Sequence, residues 1–149
     1  MQYGIFWLVL ALAAGAMMPT QAAINHKLAL YVQHPVLSAF ISFGVGTVAL
    51  LGYILLTGIP ISQLTLAKNA PAIAWTGGLL GAFFVASVVT LVPRLGVALT
   101  FSLLIAGQMA LTLIIDHYGL LGVPVKMVNW PRVFGILLII GGVILIRKF

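Results

Sequence analysis

Cysteine is absent from this 149-residue chain, and a single residue, Asp116, is acidic. The first absence excludes a disulfide framework, a thiol nucleophile and a thiolate metal site. The second leaves no carboxylate in the middle of any apolar stretch, where a proton-coupled carrier usually keeps one. That argues against drug–proton antiport and against a preference for cationic substrates. Charge of either sign is scarce: only 5% of residues are charged, against about 25% in an ordinary soluble domain. Such a chain cannot clothe a water-facing surface, and lipid must be its solvent.

What is present fits that solvent. Hydrophobic residues make up 63% of the chain, and the mean hydropathy is +1.26. The net charge of +6 comes from seven scattered Lys and Arg. They form no basic face to track a phosphate backbone, so nucleic acid is not an expected partner, and they read as anchors at the lipid headgroups. His26, His34 and His117 lie far apart on links or span ends. No metal-ligand spacing and no Ser/His/Asp arrangement emerges, so neither catalysis, a metal nor a cofactor is expected.

Five apolar stretches follow from the charge spacing, at 5–23, 36–56, 73–92, 97–115 and 133–146. The first four hold about 20 residues each, enough for one crossing. The fifth is shorter, and either spans with help from Arg132, Arg147 and Lys148 snorkelling outward or re-enters without crossing. No Lys or Arg precedes the first stretch, which argues against a cleaved signal. The links, at 25–35, 58–71, 93–96 and 116–130, are short and make successive helices neighbours. Trp7, Trp75 and Trp130 lie near span ends, where aromatic belts belong. The expectation is an all-α membrane protein, one transmembrane domain over residues 1–149.

Loop charge hardly biases its orientation. The face holding the N-terminus receives Lys68, Lys126 and Arg132, and the opposite face receives Lys27, Arg94, Arg147 and Lys148. Three against four is nearly balanced under the positive-inside rule. Either another feature fixes one arrangement, or the chain inserts both ways and pairs with an inverted copy. An odd number of spans suits the second, because a head-to-tail fusion would automatically invert its second half.

The polar residues within the spans are few. Pro19 removes a backbone donor and pushes away the Gly15 carbonyl, close to the centre of the first stretch. A freed carbonyl at that depth is what a broken transporter helix offers a substrate; a packing kink satisfied by a neighbouring helix is the alternative. Gln21 and Asn25 share a helix face. Gln21 is the stronger functional candidate, because Asn25 can cap the helix or leave the membrane. On the fourth stretch Gln108, Thr112 and Asp116 recur every four residues and form a polar ridge drifting about 40° per step. Gln108 is either part of a pathway or interhelical glue worth about 1 kcal/mol. Asp116 is expected to pair with Lys126 or His117. Gly77 and Gly81 form a small-residue pair suited to close helix packing.

Several of these residues carry a resemblance. The stretches Gly15-x-x-x-Pro19-x-Gln21-x-x-x-Asn25, Trp75-Thr-Gly-Gly-Leu-Leu-Gly81, Val92-Pro-Arg-Leu-Gly96, Gly107-Gln108 and Ile115-Asp-His-Tyr-Gly-Leu-Leu-Gly122 resemble a five-helix branch of the drug/metabolite transporter superfamily. The resemblance implies a small bacterial inner-membrane protein with a transporter-like helical fold, paired with a second copy in opposite orientation. It implies no particular substrate. The chain departs from the small multidrug branch in having five spans and no carboxylate in the first.

The expected function is therefore movement of a small molecule across the inner membrane by alternating access in an antiparallel homodimer. Gly15, Pro19, Gln21, Asn25, Trp75, Gln108 and Thr112 are the substrate-binding candidates, with Asp116 and Arg94 as further polar groups along the pathway. A small-ion channel formed by an inverted pair, and a subunit that scaffolds another membrane protein without transporting, are the rivals.

Overall fold

The fold is that of a computed structural model, which describes residues 4–149. Among those residues there is no strand, and five helices are long and apolar enough to cross a membrane. They are α1 (Ile5–Val32), α2 (Pro35–Thr57), α3 (Thr76–Leu95), α4 (Val97–Tyr118) and α5 (Trp130–Lys148). The chain divides into two compact units, one ending at Arg94 and the other beginning at Leu95.

In the first unit, α1 runs well beyond its apolar stretch. The expected link at 25–35 shrinks to Gln33 and His34, and Asn25, His26 and Lys27 are helical. Proline sets the stop. Pro35 disfavours helical geometry in the residue before it, and His34 is extended (φ −154°, ψ 126°) while Gln33 turns left-handed (φ 58°). Pro35 then serves as the first residue of α2, where a missing N–H costs nothing, and His34 Nδ1 caps the helix by accepting from Val36 N at 3.2 Å. Helix α2 ends on Gly58 (φ 70°), a left-handed position that favours glycine, and the Gly58 N–H donates to the Ile54 carbonyl. Pro60 and Pro71 bracket a 3-10 segment at Ile61–Asn69, and a second 3-10 turn at Ala72–Trp75 leads into α3.

The buried residues of this unit are small or branched: Ala22 and Asn25 on α1, Ser38 and Ala39 on α2, and Val88, Val89 and Val92 on α3. Small side chains let α1 and α2 approach closely, as membrane helices do when their contacts are van der Waals packing and hydrogen bonds rather than hydrophobic burial. Large residues such as Phe40 and Phe83 are left exposed, as lipid-facing positions require.

In the second unit, α4 and α5 pack as a helical hairpin. The expected turn at 93–96 is narrower than its sequence implies. Pro93, Arg94 and Leu95 remain in the last turn of α3, and only Gly96 (φ 79°) leaves helical geometry before α4 begins. Helix α4 ends on Gly119 (φ 59°). Asn129 caps α5, its side-chain oxygen accepting from Arg132 N at 3.0 Å, with Pro131 in the first turn. Helix α5 is 19 residues long, about 28 Å at 1.5 Å per residue. That is close to a hydrocarbon core of about 30 Å, so α5 is long and apolar enough to cross it.

Candidate functional site

On α1, the four candidates separate by burial. Asn25 is only 4% exposed, whereas Gln21 is exposed one turn earlier. Asn25 does not cap the helix: it lies inside α1, which continues to Val32. Its backbone carbonyl accepts a 2.6 Å hydrogen bond from Ser38 Oγ of α2, which ties the two helices together, and its Nδ2 is buried without a partner. A buried amide donor left unmatched costs on the order of 1–3 kcal/mol. Pro19 lies within α1 and is half-buried, and the helix continues through it. Gly15 is exposed, with no atom close to where a Cβ would sit. The Thr20 hydroxyl donates to the neighbouring carbonyl, Ala16 O, at 3.0 Å. Because α1 extends to Val32, its midpoint lies at Met18 and Pro19, and Gly15 is roughly a turn closer to the N-terminal end. Trp75 is exposed, immediately before α3.

The same unit holds a cleft of about 510 Å³ where the end of α1, the start of α2 and the end of α3 converge. His26, Gln33, His34 and Arg94 supply its polar lining; Leu30, Pro35 and Val89 are among its apolar walls. Of the polar four, only Arg94 is a pathway candidate from sequence. The signal for the others was positional. The first and third spans end on the same membrane face, so the Gln33-His34-Pro35 turn and the Pro93-Arg94 pair belong at one level.

In the second unit, Gln108, Thr112 and Asp116 all lie on α4 and the ridge is continuous. The Thr112 hydroxyl donates to the Gln108 backbone carbonyl at 2.7 Å, and the Gln108 side-chain amide makes no hydrogen bond among the described residues. Both side chains are exposed. The helix centre falls between Gly107 and Gln108, so the amide is at the middle of the span.

Asp116 corrects an expectation. Its carboxylate pairs with Arg132 in the first turn of α5, not with Lys126 or His117. The link folds back onto the end of α4: Lys126 N donates to the Asp116 carbonyl at 2.8 Å, and Val128 N donates to His117 Nδ1 at 3.3 Å. Lys126 thus contributes its backbone, and the planar guanidinium of Arg132 reaches both the Lys126 carbonyl (3.0 Å) and Asp116. The only carboxylate side chain is committed to closing the hairpin. Among the described residues no group of His, Asp or Glu is arranged to hold a metal ion.

Residues 6–145 match the family described as "Putative inner membrane exporter, YdcZ", which covers nearly the whole chain. The chain belongs to that family. Membership and five span-length helices make it a multi-pass, transporter-like protein of the inner membrane. An exporter family is not an enzyme class. No curated protein and no solved structure matches the chain.

Proposed function

We propose that two copies of this exporter-family chain pair in opposite orientations and move a small neutral or zwitterionic solute outward by alternating access. One observation carries the reading: Gln108 sits at the middle of α4 with its side chain exposed on the single chain. A free amide facing hydrocarbon is costly, so it calls for a covering surface that is protein or a water-filled cavity. A second copy provides that surface, and the near-balance of loop charge, three against four, permits the inverted insertion it requires. Gln108 and Thr112 are the proposed contacts on α4. Gly15, Pro19, Gln21 and Asn25 on α1, with Trp75 before α3, form a second set. Asp116 and Arg94 lie toward the ends of the pathway. Amides and carbonyls without a mid-membrane charge suit an uncharged or internally balanced solute.

Purified protein in liposomes tests this with a panel of labelled amino acids, sugars and other small neutral metabolites. A carrier gives saturable uptake and counterflow for at least one class, together with cross-linked dimers joining opposite faces. Unsaturable flux or single-channel current would identify a pore instead. Absence of flux across the panel, with only parallel or monomeric species present, would remove both the carrier and the inverted pair.

A further inference from the structure

The cleft at the α1–α2–α3 end is equipped for a different ligand. Its polar lining includes one full positive charge, Arg94, and several groups able to donate. Arg94 uses one N–H on the Thr90 carbonyl and keeps the rest of its five. His34 Nδ1 already accepts from Val36 N, so the ring proton of the neutral imidazole lies on Nε2 and makes it a donor. Gln33 adds an amide. Thr90, another lining residue, donates its hydroxyl proton to the Ala86 carbonyl. No acidic residue is among those lining the cleft.

Helix dipoles must be weighed against this. Two C-termini, of α1 and α3, contribute about −0.5 charge each and the N-terminus of α2 about +0.5. The full charge of Arg94 outweighs that sum. The local field therefore favours an anion. The rest of the lining includes Ala29, Leu30, Pro35, Val89 and Pro93, which suits an apolar tail. The cleft lies where the C-terminal ends of α1 and α3 meet the start of α2.

We propose that this cleft binds a phosphate group carried on an apolar tail, with Arg94, His34 and Gln33 on the phosphate oxygens. Arg94 is shared with the proposed pathway, but the readout here is binding and requires no flux. Native mass spectrometry and thermal shift on the full chain in neutral detergent would compare dihexanoyl phosphatidylglycerol, dihexanoylglycerol and inorganic phosphate. The phosphorylated lipid should bind at least about tenfold more tightly than dihexanoylglycerol, the difference expected of a charge-assisted contact. Arg94→Gln should weaken it by a similar factor, and Arg94→Lys by less. Arg147→Gln, which makes the same change in net charge elsewhere, should leave it unaltered. Competition by inorganic phosphate at comparable concentration identifies a free solute as sufficient, whereas a requirement for the tail identifies membrane lipid. Equal binding of dihexanoylglycerol, or undiminished binding in a folded Arg94→Gln protein, would overturn the site.

Discussion

Arg132, in the first turn of α5, reaches across the link to the carboxylate of Asp116 in the last turn of α4. Each residue alone is misplaced with respect to its helix, since an acid at a C-terminus and a base at an N-terminus both oppose the local dipole. Together they cancel, and the side chains are 31% and 20% exposed, partly withdrawn from water. Arg132→Gln or Asp116→Asn should therefore lower stability by about 1–3 kcal/mol, the range for hydrogen bonds to charged groups. The double substitution should cost little more than either single one, because it also removes both unfavourable dipole terms. Thermal unfolding in detergent across the four proteins measures the coupling. Additive losses would mean that the pair contributes nothing as a pair.

Gly119 is held twice over. Its φ of 59° is left-handed, and a Cβ there would lie 2.7 Å from Val125 Cγ2 and 3.2 Å from the Val123 carbonyl. Gly119→Ala should cost about 1–2 kcal/mol from the backbone alone, and more from the clash. Gly122 shares a positive φ (81°) but faces open space, so Gly122→Ala should show the backbone cost only. Adding Val125→Ala to Gly119→Ala should recover part of the loss. If the two alanine variants melt together, the link does not pack against the end of α4 as described.

The sequence makes the five spans legible because lipid imposes them: apolar runs of crossing length between charges and prolines have few alternatives. Helix ends were less legible. A charge such as Lys27 marks the limit of an apolar stretch, yet a helix satisfies its own backbone and continues past it until Pro35 stops it. Asn25 is inside α1 for the same reason, although its place in the sequence suggests a link. The partner of Asp116 was hidden because pairing depends on how the link folds back, and Lys126 is nearer in sequence than Arg132. The α4 ridge, by contrast, follows from spacing alone once the helix is known.

Orientation should be easy to tip. Lys68 is the single charge in the connector between α2 and α3, and the loop charges stand at three against four. Two further lysines in the 58–71 connector should bring the N-terminal face to the cytoplasm, each such residue acting over short loops near the span ends. Paired C-terminal reporter fusions, one active outside and one inside, would read the distribution. A one-sided signal in the natural protein that added charge fails to move would rule out dual insertion.

Gln108 and Asn25 are the two in-span amides whose environments now differ most. Asn25 is buried at the α1–α2 contact, where Ser38 Oγ holds its carbonyl and its Nδ2 lacks a partner. Gln108 is exposed at the middle of α4. Leucine at position 108 keeps approximate bulk and removes the hydrogen bonds. As interhelical glue, Gln108 would account for about 1 kcal/mol of dimer stability, with flux per folded dimer unchanged. As a pathway residue, Gln108→Leu should leave the dimer intact while transport falls at least about tenfold, the loss of roughly one hydrogen bond to solute. Asn25→Leu should behave differently: the larger apolar side chain no longer fits a contact built from Ala22, Ser38 and Ala39, and the first-order effect is on folding of the α1–α2 pair. Asn25→Ala is the gentler probe, since it also removes the unmatched donor and should leave stability within about 1 kcal/mol of the natural chain. Cross-linking yield, unfolding midpoint and initial flux, measured together on the three variants, separate glue from pathway. Undiminished flux in a dimeric Gln108→Leu protein would shift the search along the ridge to Thr112.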